Sequence, residues 1–425
     1  MLTLYTWLLR LLLPYIFARL WLRGFRNHAY WQRILERFGF VQNLTGQRVI
    51  WIHAVSVGEA RAAAPLVKQL WDRCPDHRIL ITTMTPTGSA TVTALFGDRV
   101  EHCYVPYDYP SAVRRFLARV RPELLLVMET ELWPNLFHLC RKHDVPVIVT
   151  NVRMSQSSME KYLRYAPTLT RATLAQVRLL AAQSKADADR LLTLGASPEK
   201  VHVAGSIKFE LALPASLAEA AEVLRREWGA ERPVWIAAST HDGEEEIALT
   251  VHSDLRRQAS FSNALLVLVP RHPERFASTA KLCKRFRYNV ALRSQHSGTL
   301  GANVEVLLGD TMGELMLFFG ACDVAFVGGS MVPTGGHNLL EAEALGKPVV
   351  FGPHMFNFSE IAQLTLERGA GVQVRDGQQL LQAIAGFLGD ADRRDRAGEA
   401  GRKLVEENRG ALQRTMRLLE PLLPA

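Results

Sequence analysis

Carboxylates and a lysine follow the predicted strands in the first half of the chain, where they could move protons or stabilise developing charge. Glu59 closes the segment 56–59, just past the apolar run Val49–Val55 and at the predicted start of a helix. A carboxylate placed there can act as a general base. A glutamate that only interacts with the helix dipole gives the same pattern, and for this motif alone that reading is favoured.

Two further carboxylates, Glu129 and Glu131, follow the strongly apolar run Leu124–Met128. Charged groups at the end of a buried strand cost free energy unless they are solvated or paired. Lys208 follows the last predicted strand of the same half, where its ammonium could neutralise a phosphate charge or simply lie at the surface. These residue types predict a proton-transfer or group-transfer site, and either glutamate fits it.

A glycine-rich segment in the second half has the composition of an anion-binding turn. Gly328-Gly329-Ser330 and Gly335-Gly336 follow the strand-like run 323–327 and precede a helix-like run, Asn338–Leu345. Such a turn predicts free backbone N–H groups, to which the helix dipole would add. Glu341 would project from the first helical turn, where it could accept from ribose hydroxyls. Taken alone, the segment fits nucleotide binding and an ordinary capped loop equally well.

Arg271 follows the run Leu265–Val269 and is placed to bind a phosphate or carboxylate through two hydrogen bonds. A solvated turn is the alternative. Residues 311–314 follow another predicted strand and could offer backbone groups to a nucleotide base. No HxH, HExxH or DxD pattern accompanies His272 or His337, so we predict no metal.

The elements that must position these groups alternate between short strands and helices, which predicts two parallel, doubly wound sheets with ligands at the carboxyl ends of the strands. At 425 residues the length also favours two domains. Pro65 should start or kink the helix predicted at 60–73. The predicted strands are 49–55, 79–83, 101–105, 124–128, 145–150, 178–182 and 201–204, then 234–238, 264–269, 289–292, 304–308, 324–327, 349–352 and 371–374.

Charge and cysteine content narrow the class of partner and the compartment. The net charge of +8 and the pI of about 9.3 suit anionic partners: nucleic acid, an acidic membrane or small phosphorylated molecules. The five cysteines are widely spaced, odd in number and without a CxxC pair. This pattern predicts reduced thiols in the cytosol rather than a zinc or disulfide framework.

The first 22 residues are mostly apolar and long enough to cross a bilayer, which takes about 20 residues. Arg10, Arg19 and Pro14 interrupt the run, and Thr3 and Thr6 lie near one helical face with Arg10. A helix lying in the membrane interface is therefore the alternative to a span. Arginines and aromatic residues between 19 and 37 are typical of the cytoplasmic side. We predict membrane attachment over an ordinary buried helix.

Together these motifs resemble the 3-deoxy-D-manno-octulosonic acid (Kdo) transferases of Gram-negative lipid A assembly. The resemblance covers nearly the whole chain, in the apolar N-terminus and the segments 56–59, 129–135, 205–209, 270–273 and 335–341. It implies an α/β protein of the GT-B type, with two Rossmann-like doubly wound domains facing a cleft and an N-terminal membrane-anchor helix. The implied parts are the anchor at 1–22, an acceptor-binding domain at 23–209, a linker at 210–232, a CMP-Kdo-binding domain at 233–405, and a C-terminal helix at 406–425 that packs back on the first domain.

The resemblance further implies an inverting, metal-independent and cofactor-free glycosyltransferase of lipopolysaccharide biosynthesis. It would move Kdo from CMP-Kdo to lipid IVA, and to Kdo–lipid IVA if it adds more than one residue, on the cytoplasmic face of the inner membrane. Glu59 would deprotonate the acceptor hydroxyl, and Glu129 and Lys208 would stabilise the transition state, with Glu131 the alternative to Glu129. The residues implied to hold CMP are Pro270, Arg271, Met312, Gly313, Glu314, Asn338, Leu339, Leu340 and Glu341.

Two other functions compete with this reading. One is a GT-B enzyme with another donor, such as a UDP-sugar transferase or epimerase. The other is a membrane-associated scaffold or a nucleic-acid-binding protein that uses the basic charge. The charges are scattered and no aromatic–basic nucleic-acid motif is present, so we expect no nucleic-acid partner.

Overall fold

The computed structural model describes residues 1–26, 28–211 and 213–424, which divide into two compact units. The first unit comprises residues 1–210 with 409–425, and the second comprises residues 211–408. Ala212, in the predicted linker, and Ala425, the last residue of the predicted C-terminal helix, lie outside the described residues, as does Asn27.

In its described residues, the first unit contains a seven-stranded parallel sheet in the order β3-β2-β1-β4-β5-β6-β7. Apolar runs such as Leu124–Met128 are buried on both faces, as parallel strands covered by helices must be. The strand order reverses between β1 and β4, which is where ligands bind in such sheets. The strands are β1 Val49–His53, β2 Arg78–Thr83, β3 Glu101–Tyr104, β4 Leu124–Met128, β5 Val147–Val152, β6 Leu179–Ala182 and β7 Val201–Val203.

Helices cover both faces of this sheet. They are α1 Leu2–Arg26, α2 Val57–Arg73, α3 Pro86–Phe96, α4 Pro110–Val120, α5 Pro134–Lys142, α6 Gln156–Tyr165, α7 Pro167–Gln176 and α8 Lys185–Thr193. Pro65 lies inside α2, which begins earlier than predicted because Ser56 caps it at Val57. Of the two predicted alternatives, a helix start at Pro65 is wrong, and a kink at Pro65 stays a prediction.

The second unit repeats the architecture with the strand order β10-β11-β9-β8-β12-β13-β14, all parallel among the described residues. Every strand predicted in the two halves is found, with ends shifted by a few residues at most, which confirms two parallel-sheet α/β units. The strands here are β8 Val234–Thr240, β9 Leu265–Pro270, β10 Val290–Leu292, β11 Val306–Leu308, β12 Val324–Val327, β13 Val349–Phe351 and β14 Gly371–Gln373.

The helices of the second unit correct two predictions. They are α9 Leu217–Trp228, α10 Glu244–Arg256, α11 Phe276–Arg285, α12 Leu315–Ala321, α13 Leu340–Glu343, α14 Ser359–Arg368, α15 Gly377–Gly389 and α16 Ala391–Asn408. The stretch 210–232 is not a linker throughout, because α9 buries Ala221, Leu224 and Trp228 at helical spacing. The helix predicted at Asn338–Leu345 is shorter, and α13 is a single turn.

After α16 the chain turns at Gly410, which has a φ of 78°. The next helix, α17 Ala411–Leu419, belongs to the first unit. Met416 and Leu419 are buried with apolar residues of α2 and the sheet. The backbone N–H of Leu412 donates to Glu210 Oε1 at 3.0 Å, and Arg414 Nε donates to the carbonyl of Ala204 at 2.7 Å. These contacts fix α17 beside the end of β7.

The N-terminal helix α1 runs through Pro14 and docks on the first unit. Thr6 Oγ1 donates to Asn135 Oδ1 at 3.0 Å, and the Tyr109 hydroxyl donates to the carbonyl of Leu9 at 2.7 Å. Across the described residues, no helix combines the length and the hydropathy of a membrane span. The predicted anchor at 1–22 is thus helical but does not qualify as a membrane span. Arg10 and Arg19 interrupt its apolar sequence.

Candidate active site

Glu59 lies in the first turn of α2, at the carboxyl end of β1, and is only 6% exposed. Its backbone N–H donates to Ser56 Oγ at 3.2 Å, and that hydroxyl donates back to Glu59 Oε1 at 2.8 Å. The N–H of Val55 donates to Glu59 Oε2 at 2.7 Å. This capping box holds the carboxylate in one orientation.

Burial raises the pKa of Glu59 to about 8. The charge of Glu129 adds to this effect, and that of Glu131 adds less, while the hydrogen bonds from Ser56 and Val55 oppose it. A carboxylate with a pKa near neutral pH can accept a proton from a hydroxyl far better than an ordinary exposed glutamate can.

Glu129 forms an ion pair with Lys208. Lys208 Nζ lies 2.6 Å from Glu129 Oε1, and both side chains are about a quarter exposed. Glu129 has a φ of 57°, in the left-handed region that non-glycine residues rarely adopt, directly after β4. Backbone strain of this kind is concentrated at functional sites.

Asn151 positions the turn that carries Lys208, a role that the sequence reasoning missed. It also has a positive φ, 55°, at the end of β5, and its Oδ1 accepts from the N–H of Ile207 at 3.1 Å. The 3₁₀ turn Ile207–Phe209 therefore starts on the Asn151 side chain. The available signal was an asparagine at a strand end, since asparagine tolerates the left-handed region.

Glu131 is held by Trp133, whose Nε1 donates to Glu131 Oε2 at 2.8 Å. Burial raises the pKa of Glu131, the Trp133 hydrogen bond opposes this, and the charge of Glu129 adds to it. Glu129 is paired with the ammonium of Lys208, whereas Glu131 accepts a hydrogen bond from the indole of Trp133, so the two carboxylates are not equivalent. The geometry favours Glu129 as the charged partner in the site.

In the second unit the glycine-rich turn departs from the prediction of free backbone N–H groups. The N–H groups of Gly329, Ser330 and Met331 donate to the buried carboxylate of Glu244 at 2.7 to 3.0 Å. The N–H of His241 donates to the same carboxylate at 2.9 Å. The turn does bind an anion, but that anion is a side chain of the protein.

The neighbouring strand ends of this unit come together through three histidines. His241 Nε2 lies 2.9 Å from His337 Nε2, with the two rings stacked, and the ring of His272 lies 5.4 Å from that of His241. Burial lowers the pKa of His241, the charge of Glu244 opposes this shift, and His272 and Arg271 add to it. The loops after β8, β9 and β12 thus meet, and they carry Pro270 and Arg271 to the segment that begins at His337.

Arg271 is half-buried, with its N–H donating to the carbonyl of Thr240 at 3.0 Å. Its guanidinium makes no ion pair within the described residues. Arg275, four residues later, is instead bound to the buried Glu245, with Nη2 to Oε2 at 3.1 Å. Arg271 therefore remains the cation of this loop that can bind a ligand.

The other predicted nucleotide contacts are placed differently. Glu314 follows β11 and is bound by Arg293, with Nη2 2.7 Å from Oε1, and by the Thr311 hydroxyl. The Arg293 guanidinium holds the pKa of Glu314 below its usual range. Met312 is exposed, and Gly313 has a φ of 87° with open space beside it. Met312 and Gly313 are thus exposed, whereas Glu314 is half-buried and paired with Arg293.

The segment 338–341 carries one short helix and a side-chain turn. Asn338 Nδ2 donates to Glu341 Oε1 at 3.4 Å, and Asn338 Oδ1 accepts from the N–H of Leu340 at 3.3 Å. Leu339 and Leu340 are fully buried, and the N–H of Leu340 is already bound by Asn338. The predicted pull of a helix dipole on an anion is wrong here, because α13 has one turn. The assigned site roles stay predictions.

Comparison with known proteins identifies the family. Residues 32–211 match the model of the 3-deoxy-D-manno-octulosonic-acid transferases, and residues 289–404 match that of the group 1 glycosyl transferases. A 3-deoxy-D-manno-octulosonic acid transferase of Haemophilus influenzae is 44% identical over 422 residues, which are 99% of this chain and 98% of that protein. The chain belongs to the Kdo transferase family. A Kdo transferase of Bordetella pertussis is 38% identical and covers 99% of both chains.

Solved structures share the fold. The UDP-GlcNAc 2-epimerase of Neisseria meningitidis matches with a TM-score of 0.50 at 15% identity, over 88% of this chain and 99% of that one. At that identity the similarity is one of fold alone. This Kdo transferase family member therefore has two parallel-sheet α/β units like those of GT-B glycosyltransferases.

Proposed function

We propose that this protein transfers Kdo from CMP-Kdo to a hydroxyl of lipid IVA, with inversion at the anomeric carbon. Its membership of the Kdo transferase family makes it a glycosyltransferase of lipopolysaccharide biosynthesis. Beyond this family activity, we propose the identity of the donor and the acceptor and the roles of the site residues. The observation that carries the roles is the buried Glu59, with its raised pKa, beside the Glu129–Lys208 pair.

In this mechanism a hydroxyl of the acceptor attacks the anomeric carbon of Kdo. Glu59 takes the hydroxyl proton as the new C–O bond forms, and the bond from the anomeric carbon to the CMP phosphate oxygen breaks. CMP leaves with the electron pair as a stable anion. Lys208, held by Glu129, stabilises the charge that develops in the transition state, and Arg271 binds the CMP phosphate.

The test is direct. Purified protein is incubated with CMP-Kdo and tetraacylated lipid IVA, and the products are weighed by mass spectrometry. We expect a mass gain of one or more Kdo residues, and the number added is read from the same spectrum. Transfer from a UDP-sugar, with no product from CMP-Kdo, would refute the proposal in favour of a GT-B enzyme with another donor.

Arg271→Ala should weaken CMP-Kdo binding by roughly ten- to hundredfold, because a charge-assisted hydrogen bond contributes about 1.5 to 3 kcal/mol. The matched control is Arg285→Ala, which removes an exposed arginine at the end of α11 in the same unit. Calorimetric titration with CMP measures both variants. Equal affinities for Arg271→Ala and the control would show that Arg271 does not contribute to donor binding.

We also propose that α1 lies in the interface on the cytoplasmic face of the inner membrane. Its support is a set of exposed apolar side chains, of which Leu11 is 75% exposed, and a cluster of the Trp21, Phe25 and Trp31 rings with centroids 5.2 to 5.9 Å apart. Aromatic side chains of this kind favour the membrane interface.

Liposome flotation tests the attachment of α1 to the membrane. The double variant Leu8→Gln with Leu11→Gln should reduce flotation, whereas Leu163→Gln should not. Flotation that both sets leave intact would refute the attachment.

A further inference from the structure

A cavity of about 410 Å³ lies inside the first unit, between α1 and the loops that follow β1 to β4. The strand-end loops contribute Val55, Thr85, Tyr107 and Trp133, and α1 contributes Arg19 and Arg23. None of these residues was predicted as part of a site. The cavity therefore opens at the same edge of the sheet as the carboxylate cluster.

Two residues of the cavity wall, Val55 and Trp133, hydrogen-bond to candidate carboxylates of the site. The N–H of Val55 donates to Glu59 Oε2 at 2.7 Å, and Trp133 Nε1 donates to Glu131 Oε2 at 2.8 Å. A molecule in the cavity would touch the residues that fix Glu59 and Glu131. The cavity is thus adjacent to the proposed base.

A buried guanidinium, that of Arg37, lines this cavity, and it has no carboxylate partner among the described residues. Arg37 is 2% exposed, its Nη2 donates to the carbonyl of Met84 at 3.0 Å, and its guanidinium lies 4.1 Å from the centre of the Tyr104 ring. Its buried Nε has no hydrogen-bond partner within the described part of the chain. A buried cation without an anion is costly, so this position calls for a ligand with negative charge.

The other charged groups of the lining point to the same chemistry. Arg19 and Arg23 are exposed and make no ion pair in the described residues. The lining includes one carboxylate, Asp108, and that group is already committed. It accepts from the N–H groups of Asn135 and Leu136 at 3.0 and 2.7 Å and caps α5. Three arginines therefore face a cavity with no available counter-ion among the residues described.

We propose that this cavity is an acceptor subsite that binds a phosphate group of the acceptor sugar, with Arg37 at its base and Arg19 and Arg23 at its mouth. This inference rests on the proposed function. Arginine binds phosphate oxygens through paired hydrogen bonds, and the tyrosine and leucine side chains of the lining suit a sugar ring and the start of an acyl chain. Holding the phosphate here would bring a hydroxyl of the same molecule to Glu59.

The test uses Arg19→Gln with Arg23→Gln in the full-length protein, assayed in detergent micelles. The KM for lipid IVA should rise about tenfold or more, because two charge-assisted contacts are lost. The kcat and the KM for CMP-Kdo should stay within about twofold of wild type. With an acceptor whose phosphates have been removed, the variant and the wild type should give equal KM values.

Arg10→Gln is the matched control, since Arg10 is an exposed arginine of the same helix that does not line the cavity. A KM increase as large in Arg10→Gln would show that general charge on α1 is responsible, and would overturn the subsite. An increase in the KM for CMP-Kdo rather than for lipid IVA would assign the arginines to the donor carboxylate instead. Arg37→Lys tests the base of the cavity, and its thermal unfolding shows whether the variant is folded.

Direct binding separates failure of the subsite from failure of the proposed function. Calorimetry with the deacylated, phosphorylated glucosamine disaccharide should give binding that Arg19→Gln with Arg23→Gln weakens. If the disaccharide binds in this way and no Kdo is transferred, the subsite stands and the proposed function fails. If Kdo transfer is normal and the arginine variants leave the acceptor KM unchanged, the function stands and the subsite fails.

Discussion

Glu59→Gln is expected to lower kcat by about 10³-fold while the protein stays folded, since general base catalysis contributes about 10²- to 10⁴-fold. Glutamine keeps the shape of the side chain and can still accept from Val55 or Ser56, but it cannot take the hydroxyl proton. The KM values should change little, because the loss is in the transition state. Steady-state kinetics with CMP-Kdo and lipid IVA measure both.

The chain offers a close control for this variant. Asp187 occupies the same position of a capping box at the start of α8, where it is buried and Ser184 Oγ accepts from its N–H at 3.1 Å. Its Oδ1 accepts from the N–H of Met154 at 2.8 Å, much as Glu59 accepts from Val55. Asp187→Asn should leave kcat nearly unchanged. A similar loss in both variants would mean that Glu59 acts through helix capping rather than through proton transfer.

The pH dependence of kcat/KM tests the role of Glu59 independently. Burial raises the pKa of Glu59 to about 8, and the base is competent only when deprotonated. Below that pH, kcat/KM should therefore rise about tenfold per pH unit, and it should level off above it. Glu129→Gln removes a neighbouring negative charge, so the midpoint should move to lower pH. Glu123→Gln, at a surface pair with Arg48, should not move it.

Lys208→Met is expected to lower kcat by about 10²- to 10³-fold, the usual loss when one preorganised charge stabiliser is removed. Its ammonium lies 2.6 Å from Glu129, on a turn that Asn151 holds, so it is fixed before the substrate binds. The effect should fall on kcat more than on either KM. Rapid-quench measurement of the first turnover would confirm that the chemical step has slowed.

Lys185→Met is the control for this variant, since Lys185 also pairs with a carboxylate, Asp189 at 3.0 Å, but at an exposed site on α8. It should leave kcat unchanged. Glu129→Gln combined with Lys208→Met should cost less than the sum of the single losses if the two residues act as a pair. Additive losses, or full activity in Lys208→Met, would refute the shared role.

The parts of the fold that depend on local pattern could be predicted from the sequence. Apolar runs bounded by polar turns identified all the strands of both sheets, because parallel strands buried on both faces leave a clear signature. Glu59 could be placed at a helix start because it lies between the apolar run Val49–Val55 and the helix-like segment 60–73. The grouping of Glu59, Glu129 and Lys208 came from the resemblance to the Kdo transferases, and the position of each residue at a strand end agrees with it.

The rest depends on contacts between residues distant in the sequence. Nothing local indicates that Glu244 would occupy the N–H groups of a turn some 85 residues later. The cavity beside α1 arises from a helix and four loops, so no single segment carries its pattern. The stretch that contains α9 was misjudged because its polar face outweighed a narrow apolar stripe of Ala221, Leu224 and Trp228.

The carboxylate of Glu244 inside the glycine-rich turn has a consequence for the catalytic cycle. Gly335 and Gly336, farther along the same loop, have φ values of 103° and 75°, and a Cβ at either would lie within 2.3 Å of Asn357 or Met355. The loop is thus held from within at both ends, in the way that a resident phosphate would hold it. We therefore expect the loop to keep this shape without a nucleotide, so that little ordering entropy is lost when a donor binds. Departure of CMP would leave the loop ready for the next donor, with no refolding step to limit turnover.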